Sequence, residues 1–152
     1  MYWGCISGLY GKEVGLFWKK SWGSINSKFY CERVVPLIAE YFQQHPGLQF
    51  QQDNTSGHAS QYTKEHFALH DIQLIFWPAN SPDLNPIEDL WDWMKDWIQD
   101  HDSQVHRNYK RLQTAVNAAW EAIPYEKIFD LIKGMKDRCQ AIIDANGGET
   151  KY

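Results

Sequence analysis

Two acidic residues, Asp53 and Glu88, have the type and the surroundings of catalytic carboxylates. Asp53 directly follows a short segment that ends at Gln52, and Glu88 follows a proline-rich loop at the start of a stretch with helical spacing. Carboxylate oxygens suit magnesium and manganese, and two such ions about 3.5 to 4 Å apart can hold the attacking and leaving oxygens of a phosphodiester displacement. The two acids therefore indicate a metal-dependent phosphoryl-transfer site, which a third acid must complete.

Both acids also have a purely structural interpretation. Asn85, Pro86 and Glu88 fit a helix start in which Asn85 is the N-cap and Glu88 reaches back as a capping-box acid. Asp53 followed by Asn54 fits an Asx turn at the end of a strand. Residue types and spacing alone leave the catalytic and the structural interpretations open.

The segments before Glu88 predict an alternation of strands and helices that would bring these acids to one edge of a sheet. Apolar and polar residues alternate, or form short apolar runs between turn residues, in four predicted strands: residues 2–7, 14–18, 48–52 and 72–76. Helical spacing predicts helices over residues 24–42 and 59–69. Pro36 is expected to kink or divide the first of these helices.

Helices are predicted for the rest of the chain. Three prolines between Pro78 and Pro86 exclude regular structure from the loop before Glu88. At about 100° per residue, the apolar side chains of the next helix share one arc of about 120°; they are Ile87, Leu90, Trp91, Met94, Trp97 and Ile98. Two later apolar stripes, 109–120 and 128–143, complete the pattern. Strands first and helices last favour an α/β layer.

Composition limits the classes of protein that this chain can represent. Its 152 residues suffice for one globular domain, and a net charge of −4 does not favour a free-standing nucleic-acid binder. Three widely spaced cysteines, Cys5, Cys31 and Cys139, predict neither a disulfide framework nor a zinc site, and we expect them to be reduced and buried. The sequence has no apolar run of about 18 residues, so we expect a soluble intracellular protein.

Two motifs resemble the catalytic region of mariner-type transposases. They are QQDNTSGHAS at residues 51–60 and FWPANSPDLNPIEDLWDWMKDWI at residues 76–98. WGCIS at residues 3–7 and MKDRCQAIIDANGGETKY at residues 135–152 are similar to further parts of the same family. The resemblance therefore extends over essentially the whole chain, although the family usually has proline at the position of Gly57.

The resemblance implies an RNase H-like (integrase-like) α/β fold, a mixed sheet with flanking helices, and an Asp-Asp-Glu triad. Asp53 would be its second member and Glu88 its third, both as ligands of Mg or Mn in a two-metal site. Asn54 and His58 would orient the metal site or a substrate phosphate. The implied reaction is DNA cleavage followed by strand transfer, with transposon ends and target DNA as partners and the nucleus as location.

The family's first catalytic Asp lies on a strand before the one represented by Tyr2–Ser7, and Met1 here directly precedes Tyr2. We therefore expect residues 1–152 to be the C-terminal portion of a catalytic domain, without the first strand and the helix-turn-helix DNA-binding region, and to be inactive alone. The alternative is a non-catalytic transposase remnant that acts as a folded interaction module. Its unpaired strand edge favours a homodimer or other self-association. A non-transposase nuclease of the same fold explains the acids but not the long motifs.

Overall fold

The structure, a computed structural model, describes residues 1–13, 15–24, 26–53, 55–78, 81–148 and 150–152. Val14 and Asn54, which the sequence predictions include, lie outside the described residues. The chain forms two compact units, one of Met1–Trp18 with Pro82–Tyr152 and one of Lys19–Ser81. Within the described ranges, no helix has both the length and the apolar character that crossing a membrane requires.

Short strands come first in the chain, and helices make up most of the remainder. The strands are β1 (Tyr2–Trp3), β2 (Ile6–Ser7), β3 (Gly11–Lys12) and β4 (Leu16–Phe17). The α-helices of the described residues are α1 (Ser27–Arg33), α2 (Val35–Gln44), α3 (Ser56–Ala59), α4 (Gln61–Leu69), α5 (Ile87–His101), α6 (Tyr109–Ala122), α7 (Tyr125–Lys133) and α8 (Met135–Asp144). Short 3-10 helices lie at Lys20–Trp22, Pro82–Leu84 and Val105–Arg107. The loop before Glu88 thus contains a 3-10 turn, whereas no regular structure was predicted there.

The four strands follow one antiparallel hairpin with an interruption. β1 pairs with β4 and β2 pairs with β3, and a hydrogen bond from Glu13 N to Cys5 O (3.1 Å) lies between the two pairs. The return strand has one more residue in the interruption than the outgoing strand, as in a β-bulge. Gly15 is required there because a Cβ atom would lie 1.6 Å from the hydroxyl of Tyr2. The predicted hairpin is confirmed, although the return strand begins earlier, at Gly11.

The core of the first unit is built by helices α5, α6 and α7, and the hairpin packs against it. Its buried side chains are Leu90, Met94, Ala119, Trp120, Ile123 and Ile128. The other predicted apolar residues of α5 pack partly buried against them, which confirms the α5 stripe. The predicted stripe over 128–143 is wrong in its last part, where Cys139 and Ile143 are exposed. α7 ends at Lys133 and α8 begins at Met135, so the spacing of one continuous helix does not extend across Gly134.

The second unit begins with a pair of helices. Asn26 caps α1, since its side-chain oxygen accepts a hydrogen bond from Phe29 N (3.0 Å). The chain breaks at Val34 and continues as α2, with Pro36 in the first turn, where a missing N–H is tolerated. The predicted division of this helix is therefore confirmed. Further along, Ser60 caps α4, and the buried side chains of the unit include Tyr30, Val34, Val35, Ile38, Phe67 and Ile72.

The predicted strands over 48–52 and 72–76 are reduced to a single parallel bridge between Phe50 and Leu74. Phe50 N donates to Gln73 O (2.8 Å), and Phe50 O accepts from Ile75 N (2.9 Å). Alternating side chains indicate which residues share a face, but a ladder also needs successive backbone partners. The prediction that residues 72–76 are largely buried is wrong at Phe76, which is 88% exposed.

Candidate active site

Asp53 lies at the end of the bridged segment, and its carboxylate accepts several hydrogen bonds through one oxygen. Oδ1 accepts from Thr55 N (3.3 Å) and from Thr55 Oγ1 (3.1 Å), which is the predicted Asx turn. His58 Nδ1 lies 2.5 Å from the same oxygen. The structural interpretation of Asp53 is thus realised, and it leaves Oδ2 without a contact among the described residues. Such an oxygen is suited to bind a cation.

His58 is contacted through its backbone oxygen and its ring by a network that begins at a buried tyrosine. Tyr30 is 1% exposed, and its hydroxyl donates to Gln52 Oε1 (2.9 Å). Gln52 Nε2 donates in turn to the backbone oxygen of His58 (3.3 Å), and the rings of Tyr30 and His58 are 4.3 Å apart. Sequence reasoning missed Tyr30, which lies 22 residues from Gln52. The feature of the sequence that could have indicated this network is Gln52, a polar residue directly before Asp53.

The electrostatic setting keeps Asp53 ionised. The hydrogen bond from His58 is the main reason why the pKa of the Asp53 carboxyl lies below its ordinary value. The charge of His58 and the two hydrogen bonds from Thr55 also lower this pKa, whereas partial burial raises it. The side chain of Asp53 is 42% exposed. The site therefore presents an accessible carboxylate whose orientation is fixed by its neighbours.

Glu88 lies in the first turn of α5, in the other compact unit, and its side chain is exposed. Its backbone N–H donates to Asn85 O (3.0 Å), and Asn85 Nδ2 donates to Glu88 Oε1 (3.4 Å). The capping interpretation is wrong by one residue, because Pro86 takes the N-cap position and makes no side-chain cap. Asn85 contacts the carboxylate of Glu88 through its side-chain amide.

The donor chemistry of the two acids fits a hard divalent cation, since both offer carboxylate oxygens. The described residues contain no group of three His, Cys, Asp or Glu side chains that could hold a metal ion. Within the second unit the structure brings Asp53 and His58 together, and Glu88 belongs to the first unit. Asn54 lies outside the described residues.

The sequence profile of DDE superfamily endonucleases matches residues 22–113, a range that includes both candidate acids. The chain belongs to this family. It is 33% identical over 156 residues to the Tcb2 transposase of Caenorhabditis briggsae, an alignment that covers 100% of the chain and 54% of the relative. The chain thus spans about half the length of this relative.

Solved structures show the fold of this DDE superfamily chain. A Mos1 transposase paired-end complex with the left transposon end superposes with a TM-score of 0.83 at 16% identity, over 99% of the chain and 44% of Mos1. The Mos1 catalytic domain with Raltegravir and Mn has a TM-score of 0.71 at 15% identity, over 93% of the chain and 72% of that domain. The expected RNase H-like α/β fold is therefore confirmed.

A further residue of the DDE superfamily chain contacts the segment that carries Glu88. Arg138 of α8 is 4% exposed, its Nη1 donates to Asp83 O (2.8 Å), and its Nη2 donates to Asp89 Oδ2 (2.6 Å). The guanidinium also lies 4.6 Å from the ring centre of Tyr152. Sequence reasoning missed Arg138, because a charged residue in a helix is normally assigned to the solvent side.

Proposed function

We propose that this chain is part of a transposase catalytic domain that cleaves DNA and transfers strands in a metal-dependent reaction. The observation that carries the proposal is the ionised Asp53 carboxylate, fixed through Oδ1 by His58 and Thr55 and exposed to solvent. The family assignment supports it, because the matched range holds both Asp53 and Glu88.

In this function Asp53 and Glu88 hold Mg²⁺ or Mn²⁺ through carboxylate oxygens. His58 keeps the carboxylate of Asp53 charged and fixes its direction, and Asn54 and His58 orient the substrate phosphate. When bound, the cations would neutralise negative charge on the phosphate oxygens during an in-line displacement. The manganese in the Mos1 catalytic-domain structure supports this choice of metal.

The proposed partners are transposon ends and target DNA, and the proposed location is the nucleus, where such DNA lies in a eukaryote. The Mos1 complex with a transposon end supports DNA as the substrate. The chain's net charge of −4 requires that contacts to phosphates be local or depend on bound cations.

The test is the binding of Mn²⁺ to the 152-residue chain, followed by the electron paramagnetic resonance signal of free Mn²⁺. Asp53→Asn and Glu88→Gln remove charge without changing shape, and Asp96→Asn, an exposed acid of α5, is the matched control. We expect each of the first two variants to lose at least about tenfold in affinity, since even residues behind the ligands cost 10- to 100-fold. Binding by both variants that equals binding by Asp96→Asn would refute the proposal.

Nicking of supercoiled plasmid with Mn²⁺ gives the second readout. We expect slow nicking or none from the 152-residue chain. Any activity of the wild-type chain should be absent from Asp53→Asn and Glu88→Gln and retained by Asp96→Asn. Nicking that survives in Asp53→Asn would assign the activity to other residues.

A second candidate function, a self-associating interaction module, is favoured by the exposure of Phe76. This ring borders a cavity of about 480 Å³ within the second unit, lined mainly by apolar residues that include Phe67, Ile72 and Leu74. Sedimentation equilibrium tests this function. Association that Phe76→Ser abolishes and Leu69→Ser, the exposed apolar control, retains would support it, whereas a monomer at all concentrations would exclude it.

A further inference from the structure

The buried guanidinium of Arg138 joins the two ends of the short segment that presents Glu88. One nitrogen donates to the backbone of Asp83, in the 3-10 turn Pro82–Leu84, and another donates to the carboxylate of Asp89, in the first turn of α5. Glu88 directly precedes Asp89 in the first turn of α5. Arg138 therefore holds the 3-10 turn that precedes α5, through Asp83, and the residue that follows Glu88, Asp89.

Two residues near the C-terminus of the chain complete this arrangement. Thr150 Oγ1 donates to Asp83 Oδ2 (3.1 Å), and the ring of Tyr152 covers the guanidinium. A planar guanidinium can lie over an aromatic ring while its forked donors satisfy two acceptors at once, a combination that lysine does not reproduce. The contacts thus require the shape of arginine as well as its charge.

A purely stabilising role does not account well for these contacts. A buried ion pair gains little net stability over apolar residues of similar size, because desolvation offsets the attraction. In this pair the side chain of Arg138 is buried, at 5% exposed, whereas that of Asp89 is 41% exposed, so removing the carboxylate of Asp89 would leave a buried charge with fewer acceptors. We therefore expect Arg138 to act mainly by fixing the direction of the segment that carries the candidate metal ligand.

We propose that Arg138 is a positioning residue that acts through Glu88, by holding the segment Pro82–Asp89 in one conformation from which the carboxylate of Glu88 would bind a cation. The inference rests on the proposed function, in which Glu88 is a metal ligand. Tyr152 contacts Arg138 and Thr150 contacts Asp83, so residues that follow α8 also take part in this arrangement.

The test is a double-mutant cycle in Mn²⁺ affinity on the 152-residue chain, with Arg138→Met, Glu88→Gln and the double variant. Arg111→Met is the matched control, because Arg111 also forms a short ion pair, with Asp102 in the same unit, away from Glu88. We expect Arg138→Met to weaken Mn²⁺ binding about tenfold or more and Arg111→Met to leave it within about twofold. Arg138→Lys, which keeps the charge, should lose less.

The double variant distinguishes positioning from general destabilisation. If Arg138 acts through Glu88, the double variant binds Mn²⁺ as Glu88→Gln alone does. Independent, additive losses, or unchanged affinity in Arg138→Met while Glu88→Gln is impaired, would overturn the inference. Unchanged affinity in Glu88→Gln would instead remove the proposed role of Glu88 itself, so the two failures are distinct.

A metal-free measurement covers the case in which Arg138→Met does not fold. In Arg138→Lys, amide hydrogen exchange should become faster at Glu88, whose N–H is bound to Asn85 O, and stay unchanged at Asp102, whose N–H is bound to Ile98 O at the other end of α5. Equal acceleration at both ends of α5 would show a loss of overall stability and would overturn the positioning role.

Discussion

Substitution of Gly4 by alanine tests the packing that fixes the hairpin on α5 and α6. A Cβ atom at Gly4 would lie 2.7 Å from Cη2 of Trp120 and 3.1 Å from Cη2 of Trp91. Trp120 has little room to yield, because it is 2% exposed and its Nε1 donates to Glu13 O (2.9 Å). Overpacking of this kind costs about 1–3 kcal/mol. For a chain of this size, each kcal/mol corresponds to a fall in Tm of about 2–4 °C.

The assay is urea unfolding followed by circular dichroism, for the wild type, Gly4→Ala, Trp120→Phe and the double variant. Phenylalanine lacks the Cη2 atom that the new methyl group meets, so Gly4→Ala should cost less in the Trp120→Phe background. We expect a coupling free energy of about 0.5 kcal/mol or more, the range found for residues in contact. An equal cost in both backgrounds, or no cost in the wild type, would refute the packing described for Gly4.

Two further predictions concern Lys12 and Asp53. Lys12 Nζ donates to the carbonyl oxygens of Trp120 (2.6 Å), Glu121 (2.5 Å) and Ile123 (3.2 Å) at the C-terminal end of α6. Because Lys12→Met removes these hydrogen bonds and the positive charge at the helix end, it should lower the free energy of unfolding by about 1–2 kcal/mol. An unchanged urea midpoint would contradict this prediction. The lowered pKa of Asp53 means that its ionised form stabilises the fold above the unfolded pKa of about 3.9 and loses this effect as pH falls through the folded pKa. The stability difference between wild type and Asp53→Asn should therefore shrink below about pH 4, and a constant difference from pH 6 to pH 3 would be inconsistent with the shift.

Local patterns in the sequence predicted the elements whose cause is local. The apolar spacing of α5 identified the face that packs on the core, which includes the buried residues Leu90 and Met94, and Pro36 identified the division of the first long helix. The Asx turn at Asp53 also followed from adjacent residue types. In each case the interactions that decide the structure span fewer than about five residues, which is the range that periodicity and turn chemistry describe.

The parts that the sequence did not predict depend on contacts between distant segments. A strand needs a partner ladder, and side-chain alternation over 72–76 did not indicate that only Leu74 would find one. The predicted stripe over 128–143 required one continuous helix, but the helix is interrupted at Gly134, and in α8 Cys139 is exposed whereas Arg138 is buried. Burial of a charged side chain is visible only when its partners are known.

The two candidate ligands are therefore held in place by different means. Asp53 is oriented by residues within five positions of it, so its environment is part of one short motif. The segment of Glu88 is held by Arg138, which lies 55 residues from Asp83 and 49 from Asp89, outside the profile match at 22–113. A chain that keeps both motifs but ends before α8 would retain the acid and lose the group that fixes its direction, so the presence of the motif alone does not establish a competent third acid.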